Sequence, residues 1–477
     1  MKNNFVPIAL ALLVLSGCSL APPLALPDVP TAQAYKEAAP WMPAAPADAV
    51  PRGPWWNGYG DDQLDKLQQQ LIANSPDLAA ALAHYRQAQA YSAELHSGLF
   101  PDLALSAGAQ RNRQSDTKPP TGSGVPRYYD SYSAGIGIDY EIDLWGRVRN
   151  TVDAGEMSAQ AAAADLASAR LSLQAQLADD FIALRGLDRA AALLDDTVQA
   201  YDKALSLTQT RHNGGISSGL DVSRAQAQLD GARAQAAQNR GQRALIEHAI
   251  AALVGESAST FSLPAQTGAL ILPDVPTDVP SVLLQRRPDI AAAQRRVEAA
   301  NAGIGIARSA FFPSIHLGAS YGFQSTDSGG WLSAPNAAWS IGPSLLFDLF
   351  DAGKRKARVE QARAVLDANG AQYRGVVLTA FQQVEDNLAL LHHYRDAEEA
   401  QRSAAAAAQH ALDLATGRYR EGAVSYLDVV QAQTTALQAQ RDELDFQTRR
   451  LRASVALIRA LGGGWEAEGD LARNGVN

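Results

Sequence analysis

The residue types that usually carry out catalysis or bind metals are scattered along the 477-residue chain. Its eight histidines have no zinc-like spacing, and His392 and His393 are consecutive, so the two rings point in different directions on a helix. Gly303-Ile304-Gly305 lies inside a predicted helix, not at a strand-to-helix junction where glycines bind phosphate. The sequence therefore predicts a protein that is not an enzyme and has no metal or cofactor.

Two aspartates have the most suggestive positions among the charged residues. Asp221 and Asp428 each stand in the sequence Leu-Asp-Val, shortly after the glycine turns Gly214-Gly215 and Gly422. Such carboxylates could cap the helix that begins there, near the positive end of its dipole. Several copies around a narrow axis would also repel one another, raise their pKa values and attract cations. The two roles can coexist.

The single cysteine, Cys18, follows an apolar run and the residues Leu15-Ser16-Gly17. The run is too short to span a membrane and is typical of a secretory signal peptide. Leu-Ser-Gly-Cys resembles the bacterial lipobox, where a peptidase cuts before the cysteine and lipid is attached to its sulfur. We predict a lipoprotein signal peptide over 1–17, a lipid on Cys18 and an extended tether, rich in Pro and Ala, over 18–59.

Four blocks of sequence occur twice in the same order, which indicates a tandem duplication. The matching blocks are Pro76-Asp77 and Pro288-Asp289, Phe100-Pro101 and Phe312-Pro313, Asp143-Leu144 and Asp348-Leu349, and Leu220-Asp221-Val222 and Leu427-Asp428-Val429. Repeat 1 is expected over 60–270 and repeat 2 over 271–465, followed by a C-terminal tail over 466–477.

Each repeat is predicted to hold a helix that starts at the Pro-Asp pair, a β-hairpin and a long α-hairpin. Alternation of Ile136 and Ile138 with glycines indicates a half-exposed strand. In the long segments that follow the hairpins, apolar residues recur every three or four positions, which indicates long helices packed as in coiled coils. The expected strands are about 101–113, 128–143, 313–324 and 338–350. The expected long helices are about 147–212, 217–254, 354–420 and 424–461.

Four strands per chain cannot form a stable membrane sheet alone, because the edge N–H and C=O groups would be unpaired in hydrocarbon. Three chains of four strands give twelve, enough for a barrel with a water-filled lumen. The fold class is therefore predicted as mainly α with membrane β, in which a homotrimer forms a 12-stranded β-barrel continuous with a 12-helix α-barrel. The net charge of -9 and the lack of a basic face argue against a nucleic-acid partner.

Several further segments carry a family resemblance. They are Trp55-Trp56, 140–147, 286–290, 310–313, 347–353 and 460–465. In these segments the chain resembles the TolC/OprM-type outer-membrane efflux proteins, in particular the lipid-anchored, NodT-like branch of resistance-nodulation-division systems. The resemblance covers nearly the whole mature chain. It implies a trimeric passive exit duct for small molecules such as drugs or toxic compounds, located in the outer membrane of a Gram-negative bacterium and extending into the periplasm.

The resemblance also implies partners and a gate. The partners are outer-membrane lipids, a periplasmic adaptor and an inner-membrane pump that supplies the substrate. In the family, Asp residues line the periplasmic constriction, while Tyr and Arg near the turn tie neighbouring hairpins shut. The matching positions here are Asp221, Arg418, Tyr419 and Asp428. The turns themselves are the expected adaptor contacts, at Gly214, Gly215, Glu421 and Gly422.

The two repeats differ beside the turn, with Arg211-His212 in the first and Arg418-Tyr419 in the second. We expect the gate at this asymmetry. The sequence also departs from the family at Gln431, where relatives often carry an acidic residue. Two other functions share parts of this pattern: a type I secretion duct, and a periplasmic adaptor or structural lipoprotein. The lipobox and the Ala-Leu-Gly-Gly-Gly-Trp segment favour the efflux branch.

Overall fold

A computed structural model describes residues 19–27, 53–115, 127–273 and 287–463. The helices are α1 (Asp62–Asn74), α2 (Pro76–Ser97), α3 (Arg147–Asn213), α4 (Gly219–Leu253), α5 (Pro288–Ser309), α6 (Lys354–Arg420) and α7 (Tyr426–Ala460). The strands are β1 (Asp102–Arg113), β2 (Tyr128–Glu141), β3 (Ser314–Ser325) and β4 (Ala337–Leu346). The signal peptide, Cys18 and the tail over 466–477 lie outside the described residues.

The observed bounds differ from the predicted ones mainly at strand ends and helix starts. β4 ends at Leu346, four residues before the predicted end at 350, and β2 ends at Glu141, two residues before 143. Helices α4 and α7 begin two residues later than predicted, because Ser218 and Ser425 have extended backbone with ψ of 155° and 160°. These serines stand at the N-cap positions of the two helices.

The described residues belong to two compact units. Of these residues, the first unit comprises 19–27, 85–115, 127–162 and 292–373, and the second comprises 53–84, 163–273, 287–291 and 374–463. The first unit holds the β-sheet, and the second holds the two helical turns. Within the described residues, no helix combines the length and the apolar composition needed to cross a bilayer.

The four strands form one antiparallel sheet in the order β1-β2-β3-β4, so β1 and β4 are its edges. The register pairs Leu105 with Ile136 and Ile136 with Tyr321, and Tyr321 in turn pairs with Trp339. Residues directly opposite one another share a face of a sheet. These four side chains are 80 %, 48 %, 56 % and 73 % exposed, so one face of the sheet presents large apolar groups to its surroundings.

The opposite face is small and polar. Gly137 and Ser320 are paired there, as are Gly135 and Gly322, and the latter pair lies so close that a Cβ on Gly322 would clash with the Ala134 carbonyl oxygen. At the base of the sheet Trp145 does not join the exposed aromatic residues. Its ring stacks on Phe312 at 4.5 Å and its indole N–H donates to the Pro313 carbonyl at 2.9 Å.

The second unit has an apolar core centred on Tyr59, Leu64, Leu177 and Phe181, each fully buried. The Tyr59 hydroxyl shares a 2.7 Å hydrogen bond with the Ser454 hydroxyl. Burial in this core raises the pKa of Tyr59 well above its usual range. Because Tyr59 belongs to the segment 18–59, the predicted extended tether is wrong at this end, where Trp55–Tyr59 is a 3-10 helix.

The other described end of the predicted tether is also bound, within the first unit. The Ser19 hydroxyl donates to Asn150 at 2.9 Å, and Arg308 and Asn301 donate to the carbonyls of Leu20 and Pro22 at 3.1 and 2.9 Å. These bonds satisfy backbone groups that an extended segment would otherwise leave to water. The residues that follow the predicted lipid site are therefore part of the fold of this unit.

A buried ion-pair network joins α3 to the surrounding segments of the second unit. The Asp188 carboxylate is fully buried and accepts from the Arg243 guanidinium at 2.6 Å and from the Gln266 N–H at 3.0 Å. Arg185, whose side chain is 3 % exposed, lies 3.8 Å from Asp188 and 2.9 Å from Asp61. Such a network is costly to break because each partner would be left as an uncompensated buried charge.

Candidate gate at the helical turns

The two long helical hairpins reverse direction through the same backbone geometry. Gly215 and Gly422 have φ of +75° and +79°, in the left-handed region that favours glycine. The following residues close the helix ends, since the N–H groups of Ile216 and Ala423 donate to the carbonyls of Arg211 and Arg418, both at 2.8 Å. The repeated sequence thus produces two equivalent turns, and each has the left-handed glycine and the hydrogen bond of a Schellman motif.

A side chain at Gly215 would be strained by the positive φ of this turn residue. We expect Gly215→Ala to lower the free energy of unfolding by about 1 kcal/mol, because alanine is strained at positive φ. Gly214→Ala is the matched control, since a Cβ there would meet the Thr210 carbonyl oxygen at an ordinary 3.5 Å. Chemical denaturation of both variants measures the difference. Equal midpoints for the two variants would contradict this assignment.

The two aspartates cap the returning helices. Asp221 accepts from the Ser218 N–H at 3.2 Å and from its hydroxyl at 2.9 Å, while the Ser218 hydroxyl accepts from the Asp221 N–H at 3.2 Å. Asp428 accepts from the N–H and hydroxyl of Ser425 at 3.0 and 2.7 Å. The capping role considered for these residues is therefore present in the protomer. A ring of carboxylates around an axis stays a prediction.

Tyr419 connects the two turns of one protomer. Its side chain is 7 % exposed, and its carbonyl accepts from the Arg211 guanidinium at 2.7 Å. The guanidinium carbon of Arg211 also lies 4.7 Å from the centroid of the Tyr419 ring, which is the geometry of a cation–π contact. The Tyr419 hydroxyl lies 3.3 Å from the Ser217 hydroxyl. Three contacts thus hold Tyr419 against the first hairpin.

An apolar cluster lies next to Tyr419. Tyr426 is 2 % exposed and meets the Tyr419 ring edge-on at 5.3 Å, and Tyr201 donates its hydroxyl to the Gln433 carbonyl at 3.2 Å. Leu205 and Val429 complete the packing. Burial raises the pKa of Tyr426 to about 12, with a smaller contribution from Tyr419 and Asp221, and burial likewise raises the pKa of Tyr201 to about 12. Tyr426 and Tyr201 are therefore neutral at physiological pH.

Arg418 does not take part in the contact between Tyr419 and the first hairpin. Its side chain is exposed, and within the described residues it makes no ion pair or side-chain hydrogen bond. Within one protomer it is therefore Arg211, and not the predicted Arg418, that ties the hairpins together. Arg211 and Arg418 occupy equivalent positions in the two repeats, and in one chain the side of the first hairpin that carries Arg211 faces the second hairpin. A contact of Arg418 between protomers stays a prediction.

The predicted adaptor contacts are all accessible. Gly214, Gly215, Glu421 and Gly422 are exposed. Two large apolar side chains accompany the first turn, since Ile216 is 70 % and Leu220 59 % exposed. Sequence reasoning missed these two, although an isoleucine and a leucine beside a glycine turn were visible signals. It also missed Tyr426, which stands where the first repeat has Gly219.

Comparison with known proteins identifies the family. A family model described as outer membrane efflux protein matches residues 67–256 and 279–463, which together make up well over half of the chain.

The chain belongs to the outer membrane efflux protein family.

Among its relatives is the antibiotic efflux pump outer membrane protein ArpC of Pseudomonas putida, 32% identical over 98% of this chain and 96% of the relative. The toluene efflux pump outer membrane protein TtgC, also of Pseudomonas putida, has the same identity and coverage. The crystal structure of the outer membrane protein VceC of Vibrio cholerae is similar, with a TM-score of 0.81 and 29% identity over 87% of this chain and 100% of that chain.

These findings confirm the predicted family, the channel function and the outer-membrane location of this outer membrane efflux protein. The coarse fold class, mainly helical with a small number of strands, is confirmed as well. One segment of the family match falls in each predicted repeat. The adaptor alternative is wrong, because the match spans channel proteins along nearly their whole length.

Proposed function

We propose that three copies of this outer membrane efflux protein form a passive exit duct, a 12-stranded barrel continuous with a 12-helix tube in the periplasm. The observation that carries the proposal is the open sheet with one exposed apolar face. Among the described strands, β1 pairs only with β2 and β4 only with β3, so each has one edge without a strand partner. In a bilayer, unpaired edges cost several kcal/mol per polar group, whereas pairing β4 with β1 of the next copy satisfies them.

The proposed cargo is small molecules that enter from a resistance-nodulation-division pump through a periplasmic adaptor. Support comes from relatives whose names specify antibiotic and toluene efflux pumps. The adaptor would bind at the helical turns, where Ile216 and Leu220 offer apolar area beside the exposed backbone of Gly214 and Gly215. Exposed apolar groups of this kind mark binding surfaces.

Arg418 has a role in this assembly that one chain alone does not require. Arg211 of the first hairpin contacts Tyr419 of the second. If the hairpins alternate around a ring, Arg418 of the second hairpin faces the first hairpin of the next copy, beside its His212. We propose that the gate consists of Arg211–Tyr419 contacts within protomers and Arg418 contacts between them, with Asp221 and Asp428 near the axis. The lipid on Cys18 would attach each copy to the membrane.

The mass of the detergent-solubilised protein tests this proposal. Three subunits are expected after correction for bound detergent, and reconstitution into planar bilayers is expected to give channels that are mostly closed.

Leu105→Asp places a charge on the exposed apolar face and is expected to reduce insertion. Ser106→Asp, one residue along and on the opposite face, is the matched control and should insert normally. A stable monomer of wild-type protein would contradict the proposal.

A further inference from the structure

The charged residues of the apolar face are confined to one end of the sheet. By register, this face carries Leu103, Leu105, Ala107 and Ala109 along β1, and then Arg111 and Arg113. On β2 the same face has one charged residue, Asp130, directly opposite Arg111. β3 and β4 contribute no charged residue to it. A band of apolar side chains thus ends in two arginines on an edge strand.

The two arginines lie at the end of the sheet that is away from the adjoining helices. β1 begins at Asp102, shortly after α2 ends at Ser97, so Arg111 and Arg113 lie at the opposite end of the strand. Under the proposed function the helices extend into the periplasm. The two arginines then lie at the outer leaflet, where the lipid of Gram-negative bacteria carries phosphate groups on its sugars.

Both side chains are placed to meet such a headgroup. Residues i and i+2 of a strand point to the same side about 7 Å apart. Both arginines are exposed, and within the described residues Arg111 makes no ion pair, not even with Asp130 across the strand. The Arg113 guanidinium lies 5.7 Å from the centroid of the Tyr128 ring, which orients it along the same face. Guanidinium groups bind phosphate through two parallel hydrogen bonds.

We propose that Arg111 and Arg113 bind the phosphorylated sugar headgroup of an outer-leaflet glycolipid, one at each β1 edge of the trimer. This inference rests on the proposed function, because it needs the barrel to be closed and inserted. Among the described residues of the four strands, this face carries two arginines and one aspartate, Asp130. Because β1 is an edge strand, the lipid would lie beside the seam between two subunits and contribute to holding it closed.

The experiment compares lipid binding to purified trimers by native mass spectrometry. The probe is diphosphorylated lipid A, with the same lipid lacking its phosphates as reference. Each arginine near a charged headgroup is expected to contribute about fivefold, so Arg111→Gln/Arg113→Gln should weaken binding on the order of 25-fold. The dephosphorylated lipid should bind wild type and variant equally. Arg233→Gln, an exposed arginine on α4, is the control and should change nothing.

The outcomes separate the two proposals. Trimers that bind both lipids equally, or a double variant that binds as wild type does, would overturn the lipid site and leave the duct intact. A wild-type protein without trimers would contradict the duct itself. Arg111→Lys/Arg113→Lys keeps the charge but loses the paired hydrogen bonds, so intermediate binding is expected from a headgroup contact.

Discussion

Asp188→Ala is expected to lower the free energy of unfolding by about 3–5 kcal/mol, the range found when one partner of a buried ion pair is removed. The Asp188 carboxylate is fully buried and contacts two arginines and one backbone N–H. Without it, the Nη1 group of Arg185 has no partner, since it already lacks a hydrogen bond among the described residues. Arg243 would lose its 2.6 Å contact as well.

The chain offers a matched control on the same helix. Asp195 also accepts from an arginine of α4, Arg240 at 2.8 Å, but both side chains are about half exposed or more, at 49 % and 65 %. Asp195→Ala is therefore expected to cost less than about 1 kcal/mol, because water screens the pair. Thermal and chemical unfolding of both variants, followed by circular dichroism, measures the contrast. Similar losses for the two variants would show that the buried network contributes little.

Arg211→Ala is expected to raise the resting conductance of the channel. The substitution removes a charged hydrogen bond to the Tyr419 carbonyl, worth about 2 kcal/mol, and a cation–π contact of about 0.5–1 kcal/mol. A loss of about 2.5–3 kcal/mol per protomer shifts the balance between closed and open turns roughly 100-fold. Single-channel recordings in planar bilayers should show longer and larger openings than those of wild type.

Two further variants separate the contact from the charge. Arg420→Ala removes an equal charge from an exposed position in the same region, and its conductance should match that of wild type. Arg211→Lys keeps the charge but loses the flat contact with the Tyr419 ring, so an intermediate conductance is expected. If Arg211→Ala folds normally and conducts as wild type does, the Arg211–Tyr419 contact is not part of the gate.

The architecture could be predicted from the sequence because its signals are local and occur twice. Alternation along residues 132–140 sets the faces of β2, and Ile136 and Ile138 are indeed exposed on the apolar face. Glycine at 215 and 422 marks both turns, where the backbone needs positive φ. The prediction of an extended tether was wrong at Tyr59. This residue follows a Pro- and Ala-rich stretch, but it is buried beside Ser454, 395 positions away in the sequence.

The sequence by itself thus determined the duplication, the strand faces, the long helices and the turns, all of which follow from periodicity and from backbone preferences within a few residues. Only the tertiary structure decided which arginine contacts Tyr419, since Arg211 and Tyr419 are 208 positions apart and Arg418 fits the motif equally well. It also decided the buried pairing of Asp188 with Arg185 and Arg243. Such partners depend on how each long helix is rotated about its axis, and periodicity gives the buried stripe of a helix but not the residue that faces it.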